Sequence, residues 1–423
     1  MVGQYATAVP VGKVLDTYGP WSCSSLASIM FSVGYGLFAW QYSRTKEDIT
    51  LTQPSSTALP VLILCFSFLG IGTVFSYFSM LFSATRTFEH CMGFASGTSL
   101  AIFGMSPLFL SLVATKYFAD SDAGVKVVPF FVFMSILTGT VNFFGGLILP
   151  GPPKEGIPTE ITSDEHLVGF DEVRYMDADE TRSLLHGPPS GKSVAGAAII
   201  PVQEPKRLSS AGLLGDPSFW ILASAVSLLV GAAEMIKSNI GLIVLSLPAT
   251  SSAQNISVQV QLIAVCDTIT RLLIGPLADV TSPVALYSSD GVWSFPRKPY
   301  FTRVWFFASA AVLYVAAFIW PVVGIRSQEA LWPLSISTGI VNGTIFTMLP
   351  SILSSIWGSQ DQGRNFGFIS YMCFIGTTAF SYLYAFVADS HTLRNDGCGD
   401  CFAGSLFLFY TAEKMELESI VIV

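Results

Sequence analysis

Two of the apolar stretches in this sequence carry charged side chains, which are costly to bury unless they are paired or face water. Asp267 and Arg271 fall within the apolar stretch 256–278, four residues apart and therefore on one face of a helix. A guanidinium binds carboxylates through parallel hydrogen bonds, and a carboxylate can exchange a proton. We interpret this pair as part of a polar site, with a local ion pair that only fixes helix packing as the alternative.

A second polar face is expected in the apolar stretch 218–247. Glu234 and Lys237 lie three residues apart there, and Asn239 follows them on the same helix. These side chains are candidates for a second component of the same site. Two simpler interpretations remain open: the two charges only neutralise each other, or Lys237 extends its ammonium towards a membrane surface.

The composition shows which solvent surrounds these elements. Hydrophobic residues make up 51% of the 423 residues, charged residues make up 12%, and the mean hydropathy is +0.58. Because soluble domains carry about 25% charged residues, the solvent must be lipid. A net charge of -8 and a pI near 5.0 exclude a nucleic-acid partner, which needs a clustered basic surface. The four His are scattered, so we predict neither a metal site, nor a cofactor, nor an enzyme.

The apolar stretches predict an all-α polytopic membrane protein, since a helix needs about 20 mostly apolar residues to cross a bilayer. Two shorter apolar stretches, 2–15 and 402–410, flank the full-length ones. We predict nine full spans at 21–43, 58–84, 91–115, 127–149, 218–247, 256–278, 303–324, 331–357 and 366–388.

An internal repeat divides these spans into two sets. Gly12 and Asp16 end the first partial span with the pattern GxxxD, and Gly275 and Asp279 end the span at 256–278 in the same way. A Gly-Phe pair also opens one span in each half, at 93–94 and 367–368. Repeated anchors at matching positions indicate a duplicated helical bundle.

The domain boundaries follow from a polar segment between the two sets of spans. It is rich in proline, and its middle, residues 164–180, is strongly acidic. We therefore expect an N-terminal bundle over 1–149, a disordered cytosolic linker over 150–217 and a C-terminal bundle over 218–423.

Together, these motifs resemble the major facilitator superfamily, whose motif GxxxDxxG follows the second helix and recurs after the eighth. Gly12, Asp16 and Gly19 match the first copy, whereas the second copy keeps Gly275 and Asp279 but lacks the last glycine. Within that superfamily the sequence is similar to the fungal Mch-type, nodulin-like branch related to monocarboxylate permeases. The segments that carry this similarity are 8–12, 18–20, 216–220 and 271–273.

The resemblance implies a fold of two helical bundles and a secondary active transporter of a small organic solute, with a proton-coupled carboxylate as one candidate. It implies that Arg271 binds a substrate carboxylate, while Asp267 exchanges a proton or holds the arginine in the empty site. The substrate, protons and the lipid bilayer are the expected partners. Asp16 and Asp279, at helix ends, are expected to act in gating by accepting hydrogen bonds from the start of a neighbouring helix.

The same alignment places the first partial span at the end of helix 2 and the nine full spans at helices 3 to 11. It leaves helix 1 and most of helix 12 without counterparts, so the expectation is a chain that is incomplete at both ends. The alternative function is therefore a transport-deficient membrane protein that acts only through interactions.

Two modifications are predicted outside the spans. Asn255 begins an Asn-Ile-Ser acceptor for N-glycosylation in a short interhelical loop. Cys398 and Cys401 lie in a loop on the side facing away from the cytosol, where a disulfide is more expected than catalysis.

The linker carries a sorting pattern. Glu180, Leu184 and Leu185 fit the acidic dileucine motif read by cytosolic sorting adaptors. This pattern, together with the family resemblance, predicts a vacuolar membrane, with the plasma membrane as the alternative.

Overall fold

The fold is described from a computed structural model. It describes residues 2–47, 58–120, 124–149, 151, 208–245, 247, 252–283, 286–287, 293–294, 300–324 and 328–392. The helices are α1 (Val2–Ala6), α2 (Ala8–Tyr18), α3 (Pro20–Glu47), α4 (Ala58–Thr87), α5 (Met92–Tyr117), α6 (Val127–Ile148), α7 (Ser210–Leu214), α8 (Pro217–Leu245), α9 (Ser252–Thr281), α10 (Val304–Gly324), α11 (Trp332–Trp357) and α12 (Gln362–Thr392). Two antiparallel pairs of two-residue strands lie in loops, β1 (Ala119–Asp120) with β2 (Gly124–Val125) and β3 (Leu286–Tyr287) with β4 (Trp293–Ser294).

The long helices lie where the apolar stretches predicted them, which confirms the all-α polytopic fold class. The predicted number of nine full spans is not confirmed. Within the described residues, seven helices are long and apolar enough to cross a membrane: α3, α4, α6, α8, α9, α11 and α12. The apolar part of α10 covers only Val304–Trp320, and α5 is not one of the seven.

Within each half, small residues bring the helices close together. In the first half, α3 packs between α4 and α6, and serine hydroxyls on α3 donate to backbone carbonyls of α6. Ser24 donates to the Asn142 carbonyl at 2.7 Å and Ser28 to the Gly139 carbonyl at 2.7 Å. Such hydrogen bonds between helices replace the hydrophobic driving force that is absent in lipid.

The second half uses glycines for the same purpose. A Cβ added at Gly376 of α12 would overlap the Ser227 carbonyl of α8, and one added at Gly231 would overlap the Gly376 backbone. Glycines 339 and 343 of α11 likewise lie against the backbone of α9. These close approaches fix the distances between the helices that carry the charged residues.

The two halves meet mainly along two helix pairs, α2 with α12 and α5 with α9. The glycine of each GxxxD pattern lies at one of these contacts. A Cβ at Gly12 would overlap the Gly363 carbonyl oxygen, and a Cβ at Gly275 would overlap the Gly93 carbonyl oxygen. Both glycines are therefore required for direct backbone packing between the halves.

The last part of the predicted linker is folded, whereas the sequence predicted disorder as far as residue 217. Helix α7 begins after Ser209, whose hydroxyl accepts a hydrogen bond from Gly212 at 3.1 Å. Leu213 is fully buried, and the Asp216 carboxylate accepts the Trp357 indole N–H at 2.9 Å. That bond holds the pKa of Asp216 below its usual value. Residues 152–207 of the linker lie outside the described residues.

Candidate functional site

A cavity of about 260 Å³ lies between the two halves. Helices from both sides contribute to it: α1, α2, α4 and α5 from the first half and α8, α9, α11 and α12 from the second. Its aromatic wall consists of Tyr5, Tyr77, Phe78, Phe103, Phe346 and Phe366. A mostly apolar cavity with a few converging polar groups is typical of a small-molecule site.

Arg271 is the most deeply buried cation in this cavity, with 7% of its surface exposed. Its Nε donates to Oδ1 of Asp267 at 3.1 Å, and its Nη2 lies 2.9 Å from Oδ2 of the same carboxylate. Nη1 donates to the Leu100 carbonyl of α5 at 3.4 Å, so the guanidinium also contacts the other half. The guanidinium carbon lies 5.8 Å from the ring centroid of Phe346. Arg271 is thus held from three sides within the cavity.

Asp267 lies behind Arg271 and does not line the cavity. A third donor, Nδ2 of Asn342 on α11, reaches its Oδ1 at 3.0 Å. The close approach of α9 and α11 allows this contact, because a Cβ at Gly343 would lie 2.8 Å from the Asp267 carbonyl oxygen. Asp267 therefore positions Arg271, and Asn342 in turn positions Asp267.

Glu234 and Lys237 also line the cavity and form an ion pair at 2.5 Å on α8. Together with the first pair, two carboxylates and two cations share this region, so their formal charges cancel. Asn239 does not belong to the group. Its Nδ2 donates to the Met235 carbonyl at 2.9 Å within α8, and it does not line the cavity.

The sequence interpretation missed the polar residues of this cavity other than its charged groups: Gln4, Tyr5, Thr73, Tyr77, Asn342 and Ser370. The signal for Asn342 was present, since it is a polar side chain inside an apolar stretch, where such residues are rare and tend to be functional. Tyr77 offered no such signal, because tyrosines are common in membrane helices.

Asp16 of the first GxxxD pattern binds the start of α12. Its carboxylate accepts the backbone N–H groups of Gly363 at 3.0 Å and Arg364 at 2.8 Å. Arg86 of α4 donates to the same carboxylate at 2.9 Å. Gly19 ends α2 with a φ of 85°, a conformation that favours glycine. A carboxylate at a helix N-terminus is stabilised by the unpaired N–H groups and the helix dipole.

Asp279 of the second pattern makes the corresponding contacts with α5. Its carboxylate accepts the N–H groups of Gly93 at 2.9 Å and Phe94 at 2.7 Å, and Arg303 donates to it at 2.8 Å. Burial lowers the pKa of Arg303, and the bond to Asp279 opposes this shift. Each half thus places a carboxylate on a helix N-terminus of the other half.

Several predicted residues lie away from these sites. Asn255 belongs to the first turn of α9 rather than to an interhelical loop, because that helix begins at Ser252. Its glycosylation stays a prediction. The predicted disulfide and sorting residues lie outside the described residues: Cys398, Cys401, Glu180, Leu184 and Leu185.

The arrangement of the two halves matches a known family. The sequence model of the Major Facilitator Superfamily matches residues 1–381. The chain belongs to the major facilitator superfamily. This major facilitator is 26% identical over 432 residues to the Debaryomyces hansenii protein named "Probable transporter MCH1", covering 100% of the chain and 82% of that relative. The Saccharomyces cerevisiae protein of the same name is 26% identical over 414 residues, covering 94% and 76%. The resemblance to Mch-type proteins is thereby confirmed.

Solved structures of other major facilitators share the fold. The proton:xylose symporter XylE superposes with a TM-score of 0.60 at 12% identity, covering 97% of this chain and 82% of XylE. The E. coli fucose:proton symporter FucP gives a TM-score of 0.58 at 11% identity, covering 98% and 88%. At such low identity the match concerns the fold alone. The family match and the shared fold show that this protein is a multi-pass membrane protein and belongs to a family of transporters.

Proposed function

We propose that this protein is a secondary active transporter that moves a small organic carboxylate together with protons by alternating access. The observation that carries the proposal is Arg271, a buried cation that lines the cavity between the halves. A guanidinium recognises a carboxylate through paired N–H donors. Proton coupling would neutralise the additional negative charge, since the four charged side chains of the site already cancel.

Alternating access requires that the cavity is closed on one side of the membrane. Asp16 and Asp279 close it on the side where they join the two halves. Helices α3 and α4 connect the end of α2 to the start of α5, so these two helix ends lie on one side of the membrane. The end of α9 and the start of α12 lie on that side as well, because Asp279 contacts the start of α5 and Asp16 contacts the start of α12. Both carboxylates therefore hold the same face together. Release of both contacts would open the cavity to that side.

Transport is tested with purified protein in lipid vesicles. We expect saturable uptake of at least one small organic acid, accelerated by an imposed inward proton gradient. Vesicles without protein give the background. Uptake of every acid in a broad panel at the background rate would refute the proposed function.

Asp267 is the first candidate for proton exchange. The substitution Asp267→Asn is expected to make residual uptake insensitive to the proton gradient, because a neutral amide keeps the shape but cannot exchange a proton. Measuring the uptake rate against pH gives the result. The matched comparison is Glu234→Gln, which neutralises the other acidic side chain of the site. A pH response that survives Asp267→Asn and disappears in Glu234→Gln would assign coupling to Glu234 instead.

We also propose an internal, vacuolar membrane as the location, supported by the pattern of Glu180, Leu184 and Leu185. The double substitution Leu184→Ala and Leu185→Ala is expected to redirect a fluorescent fusion to the plasma membrane, because sorting adaptors no longer bind it. Imaging of the fusion in yeast cells is the measurement. Alanines at Leu167 and Val168 provide a control in the same linker. Unchanged location of the first variant would remove the motif from the proposal.

A further inference from the structure

Two polar atoms in the wall of the cavity have no hydrogen-bond partner among the residues that the structure describes. They are the Oδ1 of Asn342 and the hydroxyl of Tyr77, and both are buried. An unpaired buried polar group is costly, so a site that keeps one usually supplies its partner through water or a ligand. These atoms therefore indicate which chemical groups a ligand must offer.

The direction of the Asn342 amide is fixed by its neighbour. Its nitrogen lies 3.0 Å from the Asp267 carboxylate, which is ion-paired with Arg271 and can only accept hydrogen bonds. The nitrogen must therefore face Asp267, and the oxygen must point elsewhere. Asn342 consequently offers an obligatory acceptor to whatever occupies the cavity.

This acceptor lies beside the candidate carboxylate-binding group. Nε of Arg271 and Nδ2 of Asn342 donate to the same oxygen, Oδ1 of Asp267. An arginine has five N–H groups. Three of them make the bonds to Asp267 and Leu100, which leaves two for a ligand. A carboxylate bound by these two N–H groups would lie beside Asn342, because both residues line the same cavity and bind the same oxygen of Asp267.

We propose that the substrate is a carboxylate with an O–H or N–H donor on the carbon next to the carboxyl group, and that Asn342 selects for that donor. This inference rests on the proposed function, because it assumes that Arg271 binds the carboxylate. The Asn342 oxygen has no partner among the described residues, so a ligand donor that reaches it turns an unsatisfied group into a hydrogen-bonded one. Acids without such a donor leave the oxygen unpaired and are disfavoured.

The test compares four acids with the same three-carbon skeleton. Lactate and alanine carry a donor at carbon 2, whereas pyruvate and propionate do not. Purified protein in detergent is titrated with each acid, and thermal stabilisation gives an apparent Kd. We expect lactate or alanine to bind about tenfold more tightly than both donor-free acids, which corresponds to about 1.4 kcal/mol.

The substitution Asn342→Leu removes the acceptor and is expected to reduce that ratio to about one. The control is Thr347→Val on the same helix, which removes a buried hydroxyl that does not line the cavity and should leave the ratio unchanged. The ligand series on the unaltered protein decides the question even if Asn342→Leu does not fold.

Equal binding of all four acids to the unaltered protein would overturn this inference alone. So would a ratio that persists in a folded Asn342→Leu variant. Stabilisation by none of the acids, together with no uptake of any acid in vesicles, would overturn the proposed carboxylate transport as well.

Discussion

The substitution Arg271→Ala is expected to lower saturable uptake of organic acids about 100-fold. The guanidinium is buried at the cavity wall, and removing one partner of such a buried, charge-assisted contact typically costs about 3 kcal/mol. Initial uptake rates in vesicles, normalised to the amount of inserted protein, measure the loss. Arg271→Lys should recover only part of the rate, because a single ammonium cannot reproduce the planar pair of donors.

A loss of uptake would also follow if the variant unfolded. The control is a second variant that does not leave an unpaired charge in the protein. Arg271→Ala leaves the Asp267 carboxylate buried with only Asn342 as its described partner, which destabilises a protein by about 3–5 kcal/mol. The double variant Asp267→Asn, Arg271→Gln removes both charges and should recover most of the thermal stability. It should still fail to transport. Uptake at the normal rate in either variant would reduce Arg271 to a packing residue.

The second large effect concerns the contacts that close the cavity on one side of the membrane. Combining Gly12→Ala with Gly275→Ala is expected to expose the cavity to the side on which Asp16 and Asp279 lie. Each added methyl group would overlap a backbone carbonyl of the other half, and backbone atoms cannot move aside as side chains do. Overpacking of this kind costs about 1–3 kcal/mol at each position, enough to shift the conformational population by about tenfold or more.

Cys373 offers a direct measurement, since it is buried, carries a free thiol and lines the cavity. In a variant with the other six of the seven cysteines replaced by alanine, its labelling by a membrane-impermeant maleimide reports access from each side. We expect labelling from the closed side to rise about tenfold in vesicles of known orientation. Gly241→Ala is the matched control, because a Cβ there meets nothing within 4 Å. Equal labelling of the double glycine variant and the control would contradict the gating proposal.

The features that depend on local spacing could be predicted from the sequence. Apolar stretches of sufficient length predicted the positions of the long helices, because a helix in lipid must satisfy its backbone internally. The spacing of Asp267 and Arg271 predicted that they share one helix face, where they form an ion pair, since residues four apart meet on any helix. The repeated GxxxD pattern predicted that Asp16 and Asp279 occupy corresponding positions.

Contacts between distant segments could be decided only by the tertiary structure. Asp16 lies 70 residues from Arg86, and Asp267 lies 75 residues from Asn342, so no local period connects either pair. Whether Asp267 or Arg271 reaches the cavity depends on how α9 is rotated against α5 and α11, which its packing on Gly97 and Gly343 fixes. The folded end of the linker depends on the docking of α7, and the Asn342 acceptor on the rotation of α11. Local propensity determines which segments become helices, whereas close packing between helices determines which faces meet.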